Sequence, residues 1–251
     1  MIGIYGGTFN PIHRGHLHAA EEVVGQLGLS RMLFIPSARP PHKEGESEPI
    51  APARDRMAWV ELAVADNPAF FADAAEVERP GPSYLVDTLA ALAERFKDDE
   101  LVFVVGRDAF CEMGAWRSPR ALFAACHIAV TSRPPIPDAP IPNTPIPNTP
   151  IPDNPISNAL IPEGCLADWL PECVREDIEV APDGLSAHHR TAHTWIRHLE
   201  ISALDVSATD IRRRLARGES IRHLVPAPAY PAIVASGCYN GSAGKTSPGA
   251  N

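Results

Sequence analysis

What this 251-residue sequence lacks narrows it first. It contains no run of about 18 uncharged apolar residues, so no transmembrane helix is expected. Its opening, MIGIYGG, has neither a basic start nor a long apolar run, and reads as a first strand rather than a signal peptide. Cations are scarce: Lys and Arg number 22 against 31 Asp and Glu, a formal net charge of −9. That balance argues against nucleic acid or an anionic membrane as the main partner. Cysteine is sparse, odd in number at five, widely spaced, and never in C-x-x-C. Reduced thiols in the cytoplasm are expected, not a disulfide framework or a zinc site. Hydrophobic residues at 45% are enough for a real core.

What is present alternates between strand and helix patterns. Met1–Tyr5 and Met32–Pro36 read as buried strands, and between them Leu17, Ala20, Val24 and Leu27 share a helical face. Such a βαβ unit predicts a parallel sheet. Helices are predicted over Pro52–Asp66 and Ser83–Phe96, and strands over Leu101–Val105, His127–Thr131 and, last, His198–Ile201. From Pro135 a five-residue repeat (PIPDA PIPNT PIPNT PIPDN PISNA) forbids helix and central strand, and predicts an extended spacer. The tail SGCYNGSAGKTSPGAN is small and polar, and is expected to be disordered. Its GKTS is no P-loop, because the required first glycine would fall on Tyr239.

Two clusters carry chemistry. Gly6-Gly7 after the first strand let the backbone turn sharply and approach a ligand. The helix near Gly15 then offers free N–H groups to an anion. His13 and His16, spaced i and i+3, are expected on one face of that helix start, where two imidazoles suit a polyphosphate. Late in the chain, SATDIRRRLARGESIRH places Ser207 and Asp210 as a helix start near Thr209 and Gly218 as its stop. Its arginines, Arg212, Arg213, Arg214, Arg217 and Arg222, suggest a phosphate clamp. His188-His189 and His193/His198 lack a convincing fourth metal ligand and read as a solvated segment.

H-x-G-H after a glycine turn, with a late S-x-T-x-x-R, resembles the nucleotidylyltransferase superfamily. PPHK (Pro40–Lys43), GPSYLVDTL (Gly81–Leu89), VGRDAF (Val105–Phe110) and the closing IRHLVPAPAYPAI narrow the resemblance to bacterial nicotinate-nucleotide adenylyltransferases. It implies an α/β, Rossmann-like doubly wound parallel sheet over residues 1–235, interrupted by the proline-rich insertion at about 134–162, with 236–251 as tail. The implied activity is adenylyl transfer from ATP, with its Mg2+, to nicotinate mononucleotide. By matched position, His13, His16, Thr209 and Arg212 would be catalytic. Gly6, Gly7, Thr8, Phe9, Gly106, Asp108 and Ser207 would complete the ATP site. His42, Lys43, Ser83, Tyr84, Thr88 and Trp116 would hold the mononucleotide, with Trp116 stacked on its ring.

Three positions depart from the pattern: Asn10 for a more frequent Asp, Leu85 for Thr, and Arg107 for a small residue. Competing readings are an amide-mononucleotide or phosphopantetheine adenylyltransferase, and a non-catalytic nucleotide sensor. A class I aminoacyl-tRNA synthetase fragment would need a K-M-S-K-S loop that is not here.

Overall fold

The computed structural model describes residues 1–39, 49–132, 165–202 and 204–240. The proline repeat, the PPHK stretch with His42 and Lys43, and residues 241–251 lie outside the described residues.

The first βαβ unit is β1 (Ile2–Gly7), α1 (Arg14–Leu27) and β2 (Arg31–Pro36). β1 and β2 pair in parallel from Ile2↔Arg31 to Gly7↔Pro36. α1 stops because Gly28 turns left-handed at φ 62°, and its N–H closes on the Val24 carbonyl. Then follow α2 (Ala53–Val64), β3 (Phe70–Ala72), α3 (Leu85–Arg95), β4 (Leu101–Gly106) and α4 (Arg107–Glu112). After them come α5 (Pro119–Ala125), β5 (His127–Ser132) and α6 (Leu166–Trp169). The rest is β6 (Ile178–Val180), β7 (Ser186–His189), β8 (Trp195–Glu200), α7 (Ala208–Ala216) and α8 (Tyr230–Ala235).

Among the described residues the eight strands form one sheet, ordered β3-β2-β1-β4-β5-β8-β7-β6. β3 through β8 in that order pair in parallel, and only the β6–β7–β8 edge is antiparallel. Side chains alternate through the sheet as the pleat requires. Met32, Phe34, Val102 and Val104 pack with α1 and α2 residues such as Val23 and Trp59 on one face. Leu33, Ile35, Phe103 and Val105 pack with Leu89, Leu92, Phe110 and Phe123 on the other. Each such fully buried side chain contributes roughly 1.5–3 kcal/mol. Both faces are therefore covered, which is the doubly wound arrangement expected. The chain runs outward from β1 to β2 on one side and returns to β4 on the other. This reversal opens a crevice at the carboxyl ends of β1 and β4, where ligands bind in such sheets.

Three expectations need correction. The final strand is Trp195–Glu200, not His198–Ile201, and the β6–β7 hairpin was not foreseen. His188 and His189 belong to β7; His188 is exposed as expected, whereas His189 is buried with Nδ1 accepting from the Ala192 N–H at 3.2 Å. Residues 236–240, expected to start the disordered tail, turn back onto the core. There Tyr239 is 4% exposed and its hydroxyl donates to Asn10 Oδ1 at 2.5 Å.

Candidate active site

Two cavities open beside the end of β1. The first, about 480 Å³, is lined by His13, His16, Gly106, Arg107, Asp108, Thr131, Ser132, Ser207 and Ala208 among others. The second, about 570 Å³, is lined by Gly6, Gly7, Thr8, Ser83, Tyr84 and Trp116 among others.

In the first cavity two helix N-termini converge, those of α1 and α7. Their free N–H groups and dipoles favour an anion. His13 is the residue capping α1, with an extended backbone, at the helix start where it was expected. The two imidazoles meet: their rings stack at 3.6 Å, and His16 Nδ1 accepts from the His13 N–H at 3.2 Å. Phe9 meets His16 edge-on at 5.1 Å, which fixes the plane of its ring. Gly15 between them answers to space. A Cβ there would lie 3.1 Å from His13 Nδ1 and 3.6 Å from the Val206 carbonyl. The glycine of H-x-G-H thus leaves room for the His13 ring, while the Val206 carbonyl lies at ordinary contact distance.

α7 begins as predicted: Ser207 Oγ accepts from the Asp210 N–H at 3.1 Å. Its arginines do not act as a block. Arg214 bonds Asp210 at 2.7 Å and Arg217 bonds Glu219 at 2.6 Å, so both are paired within their own segment. Arg222 lies over the Tyr230 ring, 5.1 Å from its centroid. Arg212 alone of these reaches the histidine loop, donating from Nη1 to the Asn10 carbonyl at 2.9 Å and from Nη2 to Thr209 Oγ1 at 3.1 Å. Residues 202 positions apart are thereby joined.

Residues 4–214 match the sequence profile of the cytidylyltransferase-like family. A probable nicotinate-nucleotide adenylyltransferase of Geobacter metallireducens is 36% identical over 94% of this chain and 97% of its own length. The chain belongs to this adenylyltransferase family. The corresponding protein of Geobacter sulfurreducens is 50% identical over 132 residues, 53% of this chain and 60% of that relative. A solved nicotinic acid mononucleotide adenylyltransferase of Plasmodium falciparum, complexed with NaAD, superposes with a TM-score of 0.62. It covers 95% of this chain and 96% of that one at 12% identity, a likeness of fold alone.

The expected site residues fall into three groups. His13, His16, Gly106, Asp108 and Ser207 line the first cavity, whereas Thr209 and Arg212 are not among its lining residues and are bonded to each other in the first turns of α7. Gly6, Gly7 and Thr8, expected on the ATP side, line the second cavity with Ser83, Tyr84 and Trp116. Phe9 is buried in the core and contributes a ring behind His16. Thr88 is a correction. It is 1% exposed and lines neither cavity; its hydroxyl donates to Glu76 Oε1 at 2.8 Å and accepts from Arg79 Nη2 at 3.0 Å. It orients Glu76, which does line the second cavity.

Sequence reasoning missed the framework behind these cavities. Arg56 of α2 is 1% exposed and donates to the carbonyls of Thr8 at 2.6 Å, Ser37 at 2.7 Å and Ala51 at 2.9 Å. One fork ties the loops after β1 and β2 to the start of α2. Asn10 is a second junction: its Oδ1 accepts from Ala51 N–H and Tyr239, and its Nδ2 donates to the Pro49 carbonyl. Among the described residues no group of three or more His, Cys, Asp or Glu could hold a metal, and no helix is long and apolar enough to cross a membrane.

Proposed function

We propose that this protein transfers the adenylyl group of ATP to nicotinate mononucleotide, giving nicotinate adenine dinucleotide and pyrophosphate, a late step in NAD biosynthesis. The observation that carries this reading is that the histidine loop and the start of α7 line one cavity and are bonded to each other through Arg212 and Asn10, next to a second cavity bearing an indole. The attacking group is the mononucleotide's phosphate, already an anion at neutral pH, so no general base is required. Pyrophosphate leaves as a stable anion, so no strong general acid is required either. What remains is to align two anions and neutralise the charge that builds at the α-phosphorus.

In this reading the first cavity takes ATP, with magnesium entering as part of the MgATP substrate and held mainly by phosphates and water. His13 and His16 hydrogen-bond the phosphates, His16 nearest the transferred one. The α7 N–H groups, Thr209 and Arg212 hold the β- and γ-phosphates, while Ser207 sets the helix start. Gly106 and Asp108 meet the nucleoside. The second cavity takes the mononucleotide: Trp116 and Tyr84 offer flat faces to the pyridine ring, Ser83 shapes the wall, and Gly6, Gly7 and Thr8 present backbone between the two ligands. His42 and Lys43 meet the acceptor phosphate. The protein works in the cytoplasm.

The test is pyrophosphate release from ATP with three acceptors: nicotinate mononucleotide, its amide, and phosphopantetheine. The acid mononucleotide is expected to be adenylylated with the highest kcat/KM. Preference for phosphopantetheine, or no release with any acceptor, overturns the proposal.

A further inference from the structure

Arg107 lines the first cavity at a position where the family resemblance implies a small residue. It follows β4 directly and shares its stretch of wall with Gly106, Asp108, Thr131 and Ser132, at the ends of β4 and β5. His13 and His16 line the wall on the β1 side. The Arg107 guanidinium carbon lies over the Trp169 ring, 5.6 Å from its centroid. Trp169 is 5% exposed and lines neither cavity, so the guanidinium stands between the indole and the open space. The indole is itself held in place. It meets His198 edge-on at 4.8 Å, and His198 Nε2 is 2.6 Å from Ser132 Oγ. Arg107 makes little use of its edge: Nε is buried without a hydrogen-bond partner, and Asp108 Oδ1, at 4.0 Å, is out of range. A guanidinium is planar and can stack on both faces. One face here is taken by the indole, and the other is turned to the cavity.

We infer that Arg107 is the platform on which the base of the nucleoside triphosphate stacks in the first cavity. The inference rests on the reading of this cavity as the ATP site. Base, guanidinium and indole form three layers, and the buried indole keeps the middle one from swinging away. The Arg107 side chain is 27% exposed, and a cation–π contact gains strength as water is excluded from it. The contact is made equally before and during transfer, because the base does not react. It therefore tightens ATP binding without speeding the chemical step.

The experiment measures kcat, KM for ATP, KM for nicotinate mononucleotide and inhibition by inorganic tripolyphosphate, which carries the charge of the ATP tail and no base. The full chain, R107M and R107K are compared, each checked by thermal melting. R107M is expected to raise KM for ATP about 5- to 30-fold, the scale of a desolvated cation–π contact. Its kcat should stay within about twofold of wild type, as when uniform binding is removed, with the mononucleotide KM and tripolyphosphate inhibition unchanged. R107K is expected to follow R107M, because an ammonium has no plane to stack. A wild-type KM for ATP in either variant overturns the inference, and so does an equal loss of ATP and tripolyphosphate affinity, which would make Arg107 a phosphate contact. Both results leave adenylyl transfer standing. A wild-type chain that releases no pyrophosphate from ATP with any acceptor overturns the reading of the cavity as well.

Discussion

Replacing Arg56 by Met removes the fork that holds the loops around both cavities while preserving most of the apolar stem. Three bonds at 2.6, 2.7 and 2.9 Å disappear, and the Thr8, Ser37 and Ala51 carbonyls lose their donor. Bonds to a charged donor are worth about 1.5–3 kcal/mol each, and an unsatisfied buried carbonyl costs about 1–3 kcal/mol. Against this, Met is freed of the burden of a desolvated cation, the same burial that lowers the Arg56 pKa from its ordinary value. The net expectation is a loss of about 3–5 kcal/mol, as for breaking a buried polar network. For a chain of this size that is a fall in Tm of roughly 6–20 °C. Scanning calorimetry with a urea titration measures both. R56K should recover only part, because an ammonium cannot reach three carbonyls set in different directions. A loss under ~1 kcal/mol refutes the view that this side chain organises the loops.

Other perturbations test other links. His16→Ala should lower kcat by about 10²–10³-fold, the usual scale for one lost charge-stabilising donor, while the melting curve stays in place; full turnover would remove His16 from the chemistry. Gly25→Ala, in an exposed helix interior with no atom within 4 Å of the added Cβ, should stabilise by about 0.5–1 kcal/mol. Gly28→Ala, at φ 62°, should destabilise by about 1 kcal/mol; chemical denaturation reads both, and equal signs would refute the helix-end argument. Burial holds the His127 and His198 imidazoles below the ordinary histidine value, with Glu100 and Glu200 pulling the other way. His127 Nδ1 also accepts the Trp195 N–H at 3.0 Å, which a protonated ring cannot do at that atom. The unfolded chain therefore binds protons at a higher pH than the folded one. Stability from these rings is intact above about pH 6.5 and falls as pH drops below it toward the depressed values. Tm should fall between about pH 7.5 and 5.5, less steeply in H127Q; a rise toward acid refutes the assignment.

The parallel layers were legible because their signals are local. LVFVV is apolar at every position, as a strand buried on both faces must be, and α1 shows its inward face every third or fourth residue. Histidine and serine motifs also read correctly as places, since each sits at a helix start with a capping pattern of its own. The details went astray where partners are distant. The Val206 carbonyl comes to lie beside Gly15, a contact between segments far apart in the chain that leaves no local mark. Three-residue strands such as β3 and β6 are too short to show a period. Nothing local marks Arg56 out from its neighbours, and only the folded loops bring three carbonyls to it. The five arginines near α7 looked like a clamp because sequence cannot say which acids neutralise which bases.

The bond from Tyr239 to Asn10 has a consequence for how this polypeptide tolerates shortening. A chain cut after Ala235 keeps every strand and every helix named above, yet it removes the phenol that braces the loop leading to both imidazoles. Such a truncation would look intact by circular dichroism and would be impaired in turnover. Affinity tags at the carboxyl end therefore belong beyond Asn240, with enough slack to leave that brace in place.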